Sequence, residues 1–272
     1  MSNTISLRIL HSMEDFDKVL ALQISIWQME TSGTTSPSIM NAFSHNGGVV
    51  VGAELDGRMI GFCLGFPAKN GDAISLWSHM AGVEPAYQGH GVGYMLKQAQ
   101  RRWALENGYN VIRWTFDPLQ RGNANFNFNR LGVRVERYEV NLYGEMTDSI
   151  NVGLASDRCE AYWDLNQPHV QALAENPEFT PLDTEFDAEA FLVGENGDDS
   201  QHVPQAPLTR DTYCIEIPYQ IAKLKQTNKP LAISWQLAVR EAMLHALKEG
   251  YIAYHFVVRD GRGWYVFQRD RT

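Results

Sequence analysis

The sequence predicts an α/β (α+β) fold, a mixed, mostly antiparallel twisted sheet flanked by helices, and three observations carry that expectation. Two β-rich runs, 49–55 and 58–66, are joined by Asp56-Gly57, a strong two-residue hairpin signal. From Val92 the apolar positions Val92, Leu96, Ala99 and Trp103 keep a helical rhythm until Gly108, which suits a left-handed helix stop. Strand-like and helix-like segments then alternate to the end of the chain.

In chain order, 6–10 reads as a short strand. Residues 13–27 place Phe16, Val19, Leu20, Gln23 and Trp27 at helical spacing, and the Gly/Ser/Thr/Pro stretch 31–37 breaks that helix. The two hairpin strands follow, with a third over 73–83. After the helix from Val92 come a strand over 111–116, a shorter helix over about 123–131 ended by Gly132, and a strand over 135–143. Residues 166–211 are rich in proline and acid and read as a long connecting excursion. Order returns with a strand over 213–217, a helix over 231–249 and a hairpin, 251–258 and 264–269, turning at Asp260-Gly261. Ala104-Leu105-x-x-Gly108-Tyr109 recurs as Ala246-Leu247-x-x-Gly250-Tyr251, a recurrence that common helix-stop chemistry explains.

Composition bounds the ligand. With 44% apolar residues in 272 the chain can bury a substantial core, and a net charge of -9, from 23 Lys+Arg against 32 Asp+Glu, argues against nucleic acid or an anionic membrane as partner. Cys63, Cys159 and Cys214 have no paired or metal-ligand spacing, no metal is expected, and residues 1–12 lack the features of a signal peptide, so a cytoplasmic location is the expectation.

The most informative run is 83–93, Val-Glu-Pro-Ala-Tyr-Gln-Gly-His-Gly-Val-Gly, which joins a strand end to the start of the long helix. Its glycines allow a sharp turn with NH groups pointing inward, and the helix aims its positive end at the same spot, so a pyrophosphate could be held without a basic side chain. A dinucleotide fingerprint needs a glycine where this chain has Tyr94, and a Walker loop needs Gly-Lys-Ser/Thr where it has Gly93-Tyr94-Met95. Gln88-x-x-Gly91-x-Gly93, with Val83 and Pro85 upstream, instead resembles the Q/R-x-x-G-x-G/A signature of the GNAT acyl-CoA N-acyltransferases, and the order β-α-α-β-β-β-α-β-α-β over 5–146 is similar to that fold. Ser78-His79-Met80, Trp114 to Pro118, Asn123-Ala124-x-Phe126-Asn127, Tyr143-Gly144, Asp157-Arg158, Glu216-Ile217-Pro218, Trp235, Arg240-Glu241 and Gly250-Tyr251 resemble a subgroup of bacterial GNAT acyltransferases assigned by fold, some relatives of which are linked to N-succinylation of amino acids.

That resemblance implies a GNAT acyl-CoA-binding catalytic core over 1–150, a connecting excursion over 151–211, and a C-terminal β-α-β-β extension over 212–272 packed on the core. It also implies that Gln88, Gly89, His90, Gly91, Val92 and Gly93 hold the pyrophosphate of coenzyme A. The pantetheine arm would pair along the preceding strand, with backbone NH groups over Met80, Ala81, Gly82 and Val83 polarising the thioester carbonyl. Asn123 either hydrogen-bonds the pantetheine amides or caps its helix. His79 stands nine residues before Gln88, where some members place a catalytic histidine able to take a proton from an ammonium nucleophile. Glu84 is a rival base, more plausibly turned to solvent.

One departure concerns the general acid. Members often carry a tyrosine four residues before the Gly of the second helix, where this chain has Phe128, leaving Tyr138 and Tyr143 as substitutes. Lys97, Arg101 and Arg102 read as a solvated helix face, with Lys97 near enough to touch phosphate. The expected activity is transfer of an acyl group, acetyl before succinyl, from acyl-CoA to a small-molecule amine such as an amino acid, by a monomer or a homodimer. Arg121, Arg130 and Arg158 are the candidates to hold a succinyl carboxylate. A non-catalytic acyl-CoA-binding sensor is the alternative of another class.

Overall fold

The computed structural model describes residues 4–28, 30–71, 73–146, 152–176, 191–193, 207–259 and 262–269. They fall into two compact units, one made of the chain up to Trp114 with Asp164–Gln167, the other of Thr115–Met146, the segment up to Trp163, and the chain from Pro168 on.

The first unit contains β1 (Ser6–Ile9), α1 (Met13–Trp27), α2 (Pro37–His45), β2 (Val49–Leu55), β3 (Arg58–Asn70), β4 (Ala73–Val83), α3 (Val92–Glu106) and most of β5 (Val111–Phe116). Its strands run in the order β1-β2-β3-β4-β5, antiparallel as far as β4 and parallel between β4 and β5. Helix α1 starts where Ser12 Oγ accepts the Asp15 N–H at 3.1 Å. The Asp15 carboxylate takes two hydrogen bonds from Arg8 of β1, at 2.6 and 2.9 Å, and Arg8 reaches Glu54 of β2 at 2.7 Å, so one guanidinium pins the helix to two strands. Beneath it Leu10, Phe16, Val19, Leu22, Met40, Val50, Met59, Phe62 and Leu64 form a continuous core. Asp56 (φ 51°) and Gly57 (φ 78°) both take the left-handed conformation that a two-residue hairpin needs, which fixes the register Leu55↔Arg58.

The second unit contains α4 (Arg121–Asn125) running into a π-helical segment (Phe126–Leu131), then β6 (Arg134–Glu139), β7 (Arg158–Asp164), α5 (Pro168–Glu175), β8 (Phe191–Val193), β9 (Thr212–Ile217), α6 (Ile221–Thr227), α7 (Lys229–Lys248), β10 (Tyr251–Arg259) and β11 (Arg262–Arg269). The strand order is β7-β6-β10-β11-β9-β8, antiparallel except for β8 with β9. A buried carboxylate, Asp157, joins its parts: it accepts from Tyr138 Oη at 2.7 Å, from the Asn141 N–H at 3.0 Å, and from Arg240 of α7 at 2.8 and 3.0 Å. Trp163 Nε1 donates to the Leu131 carbonyl at 2.7 Å and Tyr265 Oη to the Pro118 carbonyl at 2.7 Å, so the C-terminal strands and the segment after β5 share one core.

The structure departs from the sequence reading in several places. The second helix begins at Arg121 and widens into a π-helical turn, the strand expected over 135–143 stops at Glu139, and β7, α5 and α6 arise in segments whose polar composition masks their periodicity. The Asp260-Gly261 turn, and the acidic excursion except for Phe191–Val193 and its two ends, lie outside the described residues.

Deleting residues 208–272 removes β10 from the edge of β6 and α7 from above it. Such a chain is expected to aggregate on expression, because Val135, Cys159 and Ala161, now fully buried, would meet water. Recovery of a soluble truncated chain with the circular-dichroism spectrum of a folded protein would contradict this.

Candidate active site

The loop between β4 and α3 turns on left-handed glycines into an uncapped helix start. Gly89 (φ 77°) and Gly91 (φ 80°) are left-handed, and Gly91 is the N-cap residue of α3, so no side chain caps the leading turn of that helix. A Cβ placed at Gly89, Gly91 or Gly93 would meet nothing within 4 Å. Glycine at 91 therefore serves the backbone conformation, which a β-branched residue adopts only with strain. Two side chains fasten the loop. Gln88 Nε2 donates to the Val83 carbonyl at 2.9 Å, and a His90 ring nitrogen lies 2.9 Å from the Gln88 carbonyl. Glu84 is held by Arg58, whose Nη2 lies 2.6 and 2.7 Å from its two oxygens, and this ion pair disfavours the rival-base reading.

Strand β4 leaves its parallel neighbour early. It pairs with β5 at Leu76↔Ile112 and Trp77↔Arg113, and no strand partner is recorded beyond that point on this edge among the described residues. Ser78 to Val83 thus present a free backbone edge that runs towards the glycine loop. The other edge carries a β-bulge: Ser78 pairs with Gly65 and Met80 with Leu64, so His79 is the extra residue. The bulge turns Ser78 to the face covered by α3, whereas His79 shares the opposite face with Phe66, at 5.8 Å between ring centroids. His79 is exposed, yet crowding by the protein lowers its pKa below the ordinary value through desolvation, so the neutral imidazole is the form present at pH 7.

Lys97 differs from its sequence reading. It does not lie on a solvated face: it is 4% exposed, with Nζ 3.0 Å from both Ser78 Oγ and Gln100 Oε1 and 3.8 Å from the centre of the Trp114 ring. Burial lowers its pKa from 10.5 to about 7, while the neighbouring Cys63 of β3, whose own thiol burial pushes up to about 12, acts weakly the other way. The apolar stripe Val92, Leu96, Ala99 and Trp103 hid it. Lys97, Gln100 and Ala104 form a second line one residue along, and Ala104, fully buried, was the available sign that α3 buries a wider arc. Arg101 donates to the Leu165 carbonyl at 2.9 Å, and Arg102 is exposed.

The remaining candidates belong to the second unit. Asn123 is exposed and is the third residue of α4, so it does not cap that helix. Phe128 is a core residue set edge-on against Tyr265 at 5.7 Å between ring centres, which gives it a packing role. Tyr138 donates to Asp157, and burial together with that carboxylate holds its pKa far above the ordinary range, which unsuits it as a proton donor. Tyr143 is exposed in a turn, with its hydroxyl 2.9 Å from Thr115 Oγ1. Of the three arginines, Arg121 lies over Tyr219 at 4.2 Å and Arg158 donates to the Asp157 carbonyl at 2.8 Å.

Residues 16–132 match the model of the acetyltransferase (GNAT) family. This segment is a GNAT domain. The family's chemistry makes the chain an enzyme of the N-acyltransferase class. Among solved structures, a GNAT-family acetyltransferase from Streptococcus pneumoniae is 11% identical, covering 58% of this chain and 98% of its own at a TM-score of 0.46. YncA, a putative acetyltransferase from Salmonella typhimurium solved with acetyl-CoA, is 16% identical over 61% and 96% at 0.46. An aminoglycoside acetyltransferase from an uncultured soil metagenomic sample, in complex with trehalose, is 15% identical over 46% and 86% at 0.41. No curated protein matches. Among the described residues no helix is long and apolar enough to cross a membrane, and no group of three or more metal-binding side chains converges.

The GNAT domain stores a measurable penalty at Lys97. Its folded pKa is depressed, so between about 7 and 10.5 the unfolded chain binds the proton that the folded chain lacks, and stability rises with pH across that window. Between pH 7 and pH 8, below the titration of the unfolded chain's thiols, the melting temperature is expected to climb in the wild type and to stay flatter in Lys97→Met. Parallel curves for the two proteins would contradict a buried lysine that gives up its proton near pH 7.

Proposed function

We propose that this GNAT domain transfers an acyl group, acetyl being the expected donor group, from acyl-CoA to a small-molecule amine, and that His79 is its general base. The observation that carries the reading is the free edge of β4 leading into an uncapped helix N-terminus at Gly91. An extended pantetheine arm has amides at the spacing needed to hydrogen-bond a bare strand edge, and its pyrophosphate would then meet the NH groups and helix dipole at Gln88 to Gly93. Met80, Ala81, Gly82 and Val83 are the residues on that edge, where backbone NH groups can stabilise the oxyanion that forms as the amine attacks the thioester carbonyl. As the C–N bond forms, the C–S bond breaks and coenzyme A leaves as its thiolate or thiol.

A neutral His79 suits the removal of a proton from the incoming ammonium, directly or through a water molecule. A small amine such as an amino acid is the preferred acceptor. The aminoglycoside acetyltransferase solved with sisomicin marks small polyamines as a second acceptor class to assay. Acetyl is preferred over succinyl because Arg121 and Arg158 are already engaged with a ring and a backbone carbonyl.

Gly91→Val is expected to weaken acetyl-CoA binding by about tenfold or more, since valine at a positive φ costs roughly 1–3 kcal/mol and displaces the NH groups at the helix start. Titration calorimetry with acetyl-CoA reads this directly, and unchanged affinity would put the cofactor elsewhere. In a thiol-release assay over amino acids and polyamines, His79→Ala should lower kcat at pH 7 by about 10²-fold or more while leaving acetyl-CoA affinity near wild type. Part of the loss should return at high pH, where the amine is already deprotonated. A pH–rate profile identical to the wild type would move the base to another residue, and saturable acetyl-CoA binding without turnover of any amine would favour a sensor.

A further inference from the structure

The last paired residues of β4 and β5 are Trp77 and Arg113. The first residues beyond that pair are Ser78 on one strand and Trp114 on the other, and both touch the same atom, Lys97 Nζ, at 3.0 Å from Ser78 Oγ and 3.8 Å from the Trp114 ring centre. Lys97 reaches this point from α3, the helix that starts at the glycine loop. Gln100, one turn further along α3, accepts from both Lys97 Nζ, at 3.0 Å, and Ser78 Oγ, at 2.9 Å. Four side chains from three elements therefore meet in the crotch of the fork, and all are at least nine-tenths buried: Lys97 4%, Ser78 5%, Gln100 0% and Trp114 8% exposed.

This cluster is an expensive way to fill space. The lysine loses its hydration, and the Gln100 Nε2 has no hydrogen-bond partner although it is buried. An apolar side chain of similar size would avoid both penalties. What an apolar side chain would lack is direction. A methionine could slide between β4 and β5, whereas an amine with a hydroxyl, an amide oxygen and an aromatic face around it has one place to sit. The hydroxyl it holds belongs to the residue directly before the bulge, so fixing Ser78 also fixes where His79 and the NH groups after it point.

We propose that Lys97 is a positioning residue, a polar wedge that sets the opening of the β4–β5 fork and locks the bulge through Ser78 and Gln100, so that the thioester lies at the correct depth along β4. The proposal rests on the reading that the thioester is held at that strand edge. The contacts of Lys97 to Ser78, Gln100 and Trp114 lie on the face of β4 opposite His79, so it acts on the reacting geometry through Ser78 and Trp114 rather than on cofactor affinity.

The test has two arms. In the ligand-free full chain, amide hydrogen exchange over 78–83 should be about tenfold faster in Lys97→Met and in Ser78→Ala than in the wild type, and Ser78→Thr, which keeps the hydroxyl, should restore slow exchange. In turnover with acetyl-CoA and the best amine acceptor, Lys97→Met and Ser78→Ala should lower kcat by about tenfold or more, with the acetyl-CoA KM within about twofold of wild type, and Ser78→Thr should recover most of the rate. Wild-type exchange in both variants would overturn the wedge whatever the enzyme's substrate. Faster exchange with undiminished kcat would keep the fork device but overturn its role in positioning the thioester. A wild type that turns over no amine would instead count against the acyltransfer reading, and the exchange arm would still report on Lys97. If Lys97→Met fails to fold, Ser78→Ala with its Thr partner carries both arms.

Discussion

The parting of β4 from β5 after Trp77 is the constraint on which the rest of the GNAT domain depends. A parallel pair that stayed zipped would consume the NH and C=O groups that a pantetheine arm could use, and it would close the approach to the glycine loop. Parting leaves those groups in a place open to ligand, which is how a strand edge can be uncovered without inviting another chain to pair with it. The bulge at His79 follows from the same departure: the extra residue absorbs the change in direction and turns an imidazole away from the face that α3 covers.

Rigid surroundings make such a fork useful. The core around Phe16, Val19, Phe62 and Leu64 anchors β3, and Arg8 ties β1, α1 and β2 through charge-assisted hydrogen bonds. On the other face Lys97, Ser78 and Gln100 replace apolar packing with directed polar contacts. The domain thus gives up some stability at the site where geometry matters most, in keeping with the general trade between stability and pre-organised function.

Much of this could be read in the residues because it is local. Asp56-Gly57 dictated a hairpin through its φ requirements, Gly91 marked a helix start, and the rhythm of Val92, Leu96, Ala99 and Trp103 gave α3 its core face. The fork and the bulge were not legible, since a strand's registers with its two neighbours are tertiary facts and 73–83 reads as one uninterrupted strand. Lys97 was misread for a related reason: a lysine beside an apolar stripe is normally solvated, and it lies inside because the helix buries a wider arc, where Gly65 also makes room for its partner Gln100. In the second unit, Phe128 looked like a missing tyrosine until its packing against Tyr265 gave it a job, and β7 went unseen because Arg158, Glu160 and Asp164 disguise its alternation.

Hydrogen exchange with and without acetyl-CoA tests the central claim, a strand edge and a loop acting together as one acyl-CoA cradle, most directly. Saturating acetyl-CoA is expected to slow the amides of 80–83 and of 89–94 together, while ATP or NAD at the same concentration leaves both unchanged. Protection confined to other segments, or equal protection by ATP, would contradict the account.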